Sequence, residues 1–268
     1  MVELSTNLKG YCLPLSPEGR AQVVDPPPWH YGGDVLQVVF KPDPKEAARV
    51  LPKPLEPHPD GLALLWFVEW TSVSDLNPDL AYVNPERSQY KECLVAVQCR
   101  YKGEEGFTVP YIWVDNDFTL IRGWIQGFPK KLARVYMTRH HPLNPKLGPL
   151  RPGVKLKGVL EAHGERLAEA SLELVEEGRV EDLPRPRFFL LRHFPSIDNP
   201  TRPAVLELVR SVVENLRFRG VWKCRAELRF YPSRFEELDA LRPIEVVGGH
   251  FFSLGMTIKG GVVLEHLA

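Results

Sequence analysis

The sequence has few of the features that would assign it to several common classes of protein. It contains only four cysteines in 268 residues, and no two of them form a CxxC pair, so a zinc site is not expected. Lys plus Arg and Asp plus Glu both number 34, which leaves no net field to attract nucleic acid or an anionic membrane. No apolar run approaches the roughly 20 residues that a membrane-spanning helix needs.

Sequence motifs for nucleotide binding, serine hydrolysis and zinc proteolysis are also missing: we find no GxGxxG, P-loop, GxSxG or HExxH. The pair His140-His141 precedes Pro142 and has no carboxylate or cysteine at helical ligand spacing, so we interpret it as part of a loop. Residues 1–5 lack the basic start and apolar core of a secretory signal. We therefore expect a cytoplasmic protein with free thiols, no metal, and neither nucleic acid nor membrane as a partner.

What is abundant is proline, with 26 residues that divide the chain into short segments. Alternating apolar and polar residues between Pro, Gly, Asn and Asp turns predict many strands. They are expected at 34–40, 62–73, 89–101, 107–114, 132–138, 154–163, 166–176, 188–191, 206–218, 223–230 and 250–257. A hairpin turn is predicted at 163–166, where Gly164 lies between two alternating runs. Helices are predicted only at 44–51, 116–124 and 234–241.

This pattern predicts a mainly β protein, a β-rich α+β fold with curved or closed antiparallel sheets and a few short helices. No linker divides the chain, so we expect a single domain over 1–268. The run Pro26-Pro27-Pro28 marks the end of an extended N-terminal arm, residues 1–30. The mouth of such a sheet is a natural cavity for a small ligand.

The most informative segment is Gly127-Phe128-Pro129-Lys130-Lys131. Pro129 fixes its own φ and restricts Phe128, so the two lysines follow a stiff corner. A lysine in a dry pocket beside another cation has a lowered pKa, and a neutral amine is a nucleophile toward ketones. An isolated pair of lysines in a turn is more often a solvated surface feature, so this motif requires support from the rest of the chain.

That support is a resemblance to the acetoacetate decarboxylase family over roughly residues 30–265. The lysine corner resembles the family's lysine motif, and Tyr90-x-Glu92 resembles its tyrosine–x–glutamate segment. Further similarity lies in the segments 34–40, 47–55, 111–117, 222–224 and 244–248. The resemblance implies a cone-like β-barrel wrapped by further antiparallel strands, with the lysine inside and no organic cofactor.

By this resemblance, Lys130 is the Schiff-base nucleophile and Lys131 is the neighbour that lowers its pKa. For Lys131 the alternative is stronger than for Lys130, because neighbouring side chains can diverge and this lysine can simply reach solvent or pair with a carboxylate. Glu92 matches the family's glutamate and would transfer protons, although a structural salt bridge is the alternative. Glu69 resembles the family's earlier glutamate, and a buried ion pair is an equal alternative.

Three aromatic residues are candidates for substrate binding. Phe128 and Trp113 are apolar walls in this interpretation, and Tyr90 precedes Glu92 on the same predicted strand face. Core packing is the usual role of aromatic residues on strands.

One position departs from the family. Its first strand carries an arginine near the substrate carboxylate, but the matching residue here is Gly33, and no arginine lies between Arg20 and Arg49. The family's Gly-Arg-Glu ahead of the lysine loop is replaced by Arg122-Gly123-Trp124. We therefore expect acetoacetate itself to be a poor substrate, because no arginine on that strand can hold its carboxylate.

The sequence thus predicts a Schiff-base-forming carbon–carbon lyase that acts on a small keto acid, with an iminium at Lys130 as the electron sink. Aldol-type condensation and dehydration of a 2-oxo acid is the alternative within the same fold. A non-catalytic β-barrel that binds a small ligand is the alternative from another class. We expect the protein to be a homo-oligomer.

Overall fold

The computed structural model describes residues 7–184 and 186–268. Twelve strands lie in this part of the chain: β1 (Trp29–Pro42), β2 (Glu56–Pro57), β3 (Ala63–Ser74), β4 (Gln89–Tyr101), β5 (Glu104–Val114), β6 (Lys130–Leu132), β7 (Arg134–Met137), β8 (Lys155–Ala162), β9 (Glu165–Glu177), β10 (Leu190–Pro195), β11 (Pro203–Phe230) and β12 (Pro243–His266). They form one sheet in the order β6-β5-β4-β3-β1-β12-β11-β9-β8-β7, with β2 beside β4 and β10 beside β11.

The sheet is antiparallel except between β5 and β6, which pair in parallel at one end of the strand order. Tight turns close two of its hairpins. Lys102 and Gly103 join β4 to β5, and His163 and Gly164 join β8 to β9, all four with positive φ. Two consecutive residues with positive φ give the turn whose twist matches that of paired strands. The hairpin predicted at 163–166 is confirmed, as is the mainly β fold.

The described residues also form three short helices, α1 (Pro44–Arg49), α2 (Leu80–Val83) and α3 (Asp117–Gln126). The side chain of Asn116 caps α3 by accepting a hydrogen bond from the backbone N–H of Phe118. The helix ends at Gly127, whose φ of 92° lies in the left-handed region. Glycine adopts this conformation at little energetic cost, because it has no Cβ atom. Helix α3 thus leads directly into the lysine corner and β6.

Alternation along the central strands separates two hydrophobic cores, one on each face of the sheet. The first core includes Leu65, Phe67, Val95 and Trp113, and we call its side the Trp113 face. The second core is packed against the other side, which we call the Lys130 face, and includes Leu64, Trp66, Val68, Trp70, Leu94, Ile112 and Phe118. Whether a residue occupies an odd or an even position along its strand therefore decides which of the two cores its side chain contacts.

Several predicted boundaries are wrong. The segments 206–218 and 223–230 form one strand, β11, whose pairing with β12 is interrupted by four register shifts. Asn215 and Gly220 have positive φ within β11, and such irregularities are easily mistaken for a turn between two strands. The predicted strand 132–138 is divided into β6 and β7, and the predicted helix 234–241 contains only a 3₁₀ turn at Leu238–Leu241.

The first six residues of the predicted arm lie outside the described residues. In the rest of the arm, Lys9 and Ser16 form an isolated antiparallel bridge, and Arg87 donates hydrogen bonds to the carbonyls of Gln22 and Val23. The arm ends earlier than predicted, because Trp29 already belongs to β1.

Candidate active site

The lysine corner is fixed by hydrogen bonds to α3. The backbone N–H of Phe128 donates to the carbonyl of Gly123 at 2.9 Å. The indole Nε1 of Trp124 donates to the carbonyl of Lys130 at 2.8 Å. Strand β6 also pairs with β5, where Lys130 is opposite Ile112. The position of Lys130 is therefore set by both the helix and the sheet.

Gly123 is needed for the close approach of Lys130 to α3. A Cβ atom at this position would lie 2.4 Å from Cδ and 2.6 Å from Cγ of Lys130, well inside van der Waals contact. The lysine stem therefore occupies the space that any other residue at position 123 would fill. This explains on packing grounds why glycine follows Arg122.

Lys130 is only 5% exposed, and its ammonium group has two polar partners. Nζ lies 2.7 Å from Oε2 of Glu92 and donates a hydrogen bond to Oγ1 of Thr119 at 2.9 Å. Glu92 is equally buried. The structure thus brings the predicted nucleophile and the predicted proton-transfer carboxylate into direct contact.

Burial lowers the pKa of Lys130, because the dry site disfavours the ammonium form. The Glu92 carboxylate acts in the opposite direction, and the positive charge of Arg122 lowers the pKa further. Desolvation is the largest of these causes, so the net shift is downward. The neutral amine required for attack on a ketone is therefore more accessible than in a solvated lysine.

Aromatic side chains surround the pair. Nζ of Lys130 is 5.2 Å from the ring centre of Tyr90 and 5.9 Å from that of Phe128. Burial and the Glu92 charge raise the pKa of Tyr90 well above its usual value, so its phenol stays protonated. Nε1 of Trp70 donates to Oε1 of Glu92 at 3.2 Å. Tyr90 and Phe128, two of the residues predicted to bind substrate, therefore lie beside Lys130.

A second cation lies in this region. Arg122 is 3% exposed, and its Nη1 donates to Oγ of Ser72 at 2.7 Å. Its Nε and Nη2 atoms have no hydrogen-bond partner among the described residues. Four aromatic rings lie within 5.7 Å of its Cζ atom: Trp29, Tyr31, Tyr90 and Phe118. The first strand lacks the family arginine, but α3 supplies a buried guanidinium instead.

Lys131 lies on the Trp113 face, away from Lys130. Its side chain is 47% exposed, and its Nζ is 2.5 Å from Oε1 of the buried Glu236. The Nε2 atom of His163 is 3.2 Å from the same oxygen, and Nε1 of Trp113 is 3.5 Å from it. Trp113 and Lys131 are thus separated from Lys130 by the sheet, and the cation that lowers the pKa of Lys130 is Arg122.

Glu69 also lies on the Trp113 face, because it alternates with Val68 and Trp70 along β3. It borders a cleft of about 1420 Å³ that Arg217, Phe251 and His140 also line. Lys130, Glu92 and Arg122 are not among the residues that line this cleft. The structure therefore does not bring Glu69 together with the candidate nucleophile.

Three residues of the site were not identified as site residues from the sequence: Arg122, Thr119 and Trp70. Arg122 and Thr119 share the buried face of α3 with Phe118 and Gly123. A charged residue within the apolar stripe of a short helix is a detectable signal, because buried arginines are rare without a partner. Trp70 had no such signal, since tryptophan on a strand is usually core.

All four cysteines are free thiols, as predicted, and Cys93, Cys99 and Cys224 are buried while Cys12 is half-buried. No group of three or more His, Cys, Asp or Glu side chains in residues 7–184 and 186–268 is arranged to bind a metal ion. None of the helices described is long and apolar enough to cross a membrane.

Comparison with known proteins identifies the family. The sequence model of the acetoacetate decarboxylase (ADC) family matches residues 12–267. The acetoacetate decarboxylase of Bordetella avium is 30% identical over 185 residues, which cover 67% of this chain and 70% of that protein. The acetoacetate decarboxylase of Burkholderia vietnamiensis is 25% identical over 266 residues, or 97% and 96% of the two chains. The chain therefore belongs to the acetoacetate decarboxylase family.

Solved structures agree with this assignment. The enduracididine biosynthesis enzyme MppR complexed with pyruvate is 34% identical, with a TM-score of 0.89 over 98% of this chain and 100% of that one. Another structure holds MppR with the condensation product of pyruvate and imidazole 4-carboxaldehyde. An acetoacetate decarboxylase-like enzyme from Sphingomonas wittichii RW1 is 32% identical, with a TM-score of 0.91 over 97% and 100% of the two chains. The family and these enzyme neighbours support an enzymatic role.

Proposed function

We propose that this protein is a Schiff-base-forming enzyme that acts on a small oxo acid through Lys130. The observation that carries this proposal is a buried lysine whose Nζ lies 2.7 Å from the Glu92 carboxylate, in a site that lowers the lysine's pKa. Transfer of the ammonium proton to Glu92 leaves a neutral amine. Its attack on the ketone carbon gives a carbinolamine. Glu92 then returns the proton to the departing hydroxyl group, and the loss of water leaves an iminium and an ionised Glu92 carboxylate.

The free edge of Arg122 supports an oxo acid as the substrate. Nε and Nη2 lie on the same edge of the planar guanidinium and lack partners among the described residues. Two parallel N–H donors match the two oxygens of a carboxylate. Buried N–H donors without acceptors are costly, and a substrate carboxylate bound at this edge would satisfy both Nε and Nη2. Both cations lie beside the ring of Tyr90, so a carboxylate bound to Arg122 would bring the adjacent carbonyl group into the site of Lys130.

Arg122 also favours one reaction class over another. A carboxylate held by a guanidinium in a dry aromatic cage is stabilised as an anion, and its departure as neutral carbon dioxide would lose that attraction. We therefore propose that the carboxylate is retained and that the iminium of a 2-oxo acid loses an α-proton to Glu92, which gives an enamine. The enamine carbon then forms a bond to the carbonyl carbon of an aldehyde, whose oxygen takes the proton from Glu92. Hydrolysis of the resulting iminium releases the product and restores the Lys130 amine. The likeness to MppR, solved with pyruvate and with a condensation product of pyruvate, supports this class.

Decarboxylation of a 3-oxo acid is the second candidate, and the relatives named acetoacetate decarboxylase favour it. It uses the same iminium, but the electrons come from the bond to the carboxylate, and carbon dioxide is released. Because Glu92 is ionised once the iminium has formed, the proton that reaches the enamine carbon would come from water, with Glu92 as the relay.

Borohydride trapping tests the proposal. We expect pyruvate and 2-oxobutyrate, each reduced in the presence of the protein, to leave one covalent adduct whose mass maps to Lys130. An added aldehyde should be consumed without release of carbon dioxide. Release of carbon dioxide from acetoacetate at a comparable rate would favour the second candidate. Tight binding of oxo acids without adduct or turnover would show a binding protein and contradict both.

A further inference from the structure

Trp70 holds one oxygen of Glu92 while Lys130 is bound to the other. The indole Nε1 of Trp70 donates to Oε1 at 3.2 Å, and Oε2 lies 2.7 Å from Nζ of Lys130. With one oxygen held by the indole, the carboxylate plane cannot turn freely about its last side-chain bond. Trp70 is 3% exposed, so water does not compete for this hydrogen bond.

The indole can occupy this place because residue 33 is glycine. Gly33 on β1 is the register partner of Trp70 on β3. A Cβ atom at position 33 would lie 2.7 Å from Cε3 of Trp70 and 2.4 Å from the carbonyl oxygen of Glu69. Any side chain there would displace the indole or the strand. The neighbouring Gly32 is different, because a Cβ atom there would meet only Oγ1 of Thr71, at 3.5 Å.

We propose that Trp70, whose indole packs against Gly33, is a positioning residue that orients Glu92 for proton transfer at the α-carbon of the oxo acid. This inference rests on the proposed Schiff-base function. An indole N–H donates a hydrogen bond but carries no charge and does not ionise near neutral pH. It can therefore fix the direction of the carboxylate without neutralising it, and the proton from the substrate goes to Glu92 alone.

Two separate measurements distinguish positioning of Glu92 from the action of Lys130. Borohydride trapping reports formation of the iminium at Lys130. Exchange of the α-protons of pyruvate for deuterium in D₂O, followed by NMR, reports proton removal from that iminium by Glu92. We expect Trp70→Phe to slow exchange roughly ten- to a hundredfold, the range for a hydrogen bond to a charged group, and to leave the final yield of the trapped adduct at Lys130 unchanged.

Trp66→Phe is the matched control. Trp66 lies on the same strand and the same face as Trp70, and it packs against Phe188 and Phe252. Its Nε1 atom has no hydrogen-bond partner among the described residues, so its loss should change neither exchange nor trapping. Equal slowing of exchange in the Trp66 and Trp70 variants would overturn the proposal, because it would show a packing effect.

A double substitution tests whether Trp70 acts through Glu92. In Glu92→Gln the proton acceptor is absent, so we expect exchange to be slow and Trp70→Phe to have no further effect in that background. A further loss of the same size would overturn the proposal. Gly33→Ala should reproduce the slow exchange of Trp70→Phe, whereas Gly32→Ala should not. This pair gives an independent result if Trp70→Phe is poorly folded.

The proposed function and this inference fail in different ways. If the unmodified protein gives neither an adduct at Lys130 nor α-proton exchange with any oxo acid, the Schiff-base function fails and the role of Trp70 fails with it. If the unmodified protein gives both, and Trp70→Phe exchanges as fast as Trp66→Phe, only the role of Trp70 is refuted.

Discussion

Lys130 and Lys131 are neighbours on β6, yet they lie in opposite environments. Lys130 is buried beside Glu92 and Thr119 on the Lys130 face, whereas Lys131 is half-exposed and paired with Glu236 on the Trp113 face. Successive side chains of a strand point to opposite faces of a sheet. The comparison teaches that chemical identity and sequence position are not enough to assign a role, because one step along the strand changes the surroundings completely.

The strongest test of the comparison removes each lysine in turn. We expect Lys130→Ala to abolish borohydride trapping and turnover, because the nucleophile is lost. Lys131→Ala should retain both, since its side chain lies behind the sheet. The measurement is the mass of the adduct after tryptic digestion, with circular dichroism to verify folding. An adduct that forms in Lys130→Ala and is lost in Lys131→Ala would reverse the assignment.

The next effect concerns the cation that acts on Lys130. Arg122→Met should weaken the apparent binding of oxo acids by roughly ten- to a hundredfold, because a charge-assisted hydrogen-bond pair is lost. Arg122 also lowers the pKa of Lys130, so the same variant should raise that pKa and move the onset of trapping to higher pH.

Arg122→Lys separates the two effects of the arginine. It keeps the positive charge but lacks the two-donor edge, so it should preserve most of the pH dependence of trapping and still bind oxo acids weakly. Unchanged affinity in both Arg122 variants would show that the guanidinium does not bind the substrate carboxylate.

A smaller effect is expected on the Trp113 face. Lys131→Met should lower the free energy of unfolding by about 1–2 kcal/mol, because it removes a partner from the buried Glu236 while His163 remains close. The pH dependence of trapping at Lys130 should not move. Urea unfolding gives the first quantity, and Lys155→Met, at an exposed lysine 3.9 Å from Glu173, is the surface control. A shift in the trapping profile would show that the sheet does not insulate the two lysines.

The smallest effect is on the pH dependence of stability. Since the folded-state pKa of Lys130 lies below the ordinary lysine value of 10.5, the unfolded chain binds more protons at that residue between the two values. Stability therefore rises with pH through this window. Compared with Lys130→Met, the unmodified protein should gain stability as pH increases toward about 10.5. A flat difference between the two unfolding curves would indicate that Glu92 keeps the lysine fully charged.

Much of the site followed from local sequence. The Gly127–Lys131 corner and the Tyr90-x-Glu92 segment are short patterns, and the structure brings Lys130, Glu92, Tyr90 and Phe128 together on one face. Their functional roles stay predictions, as do the homo-oligomer and the cytoplasmic location. Glu69, Trp113 and Lys131 could not be excluded in advance, since a one-residue difference in register moves a side chain to the other face.

The sequence by itself determined a mainly β fold, because turn residues and alternation are local properties. Its short motifs, and not this periodicity, carried the resemblance to the acetoacetate decarboxylase family. Only the tertiary structure decided which cation lies near Lys130. Arg122 reaches the site because Gly127 ends α3 and Gly123 lets the lysine stem pack on the helix. The tertiary structure also decided that the indole of Trp70 contacts Glu92. This contact depends on the pairing of β1, β3 and β4 and on the absence of a side chain at Gly33. Contacts between residues distant in sequence depend on how the strands pair and pack, and no local pattern specifies them.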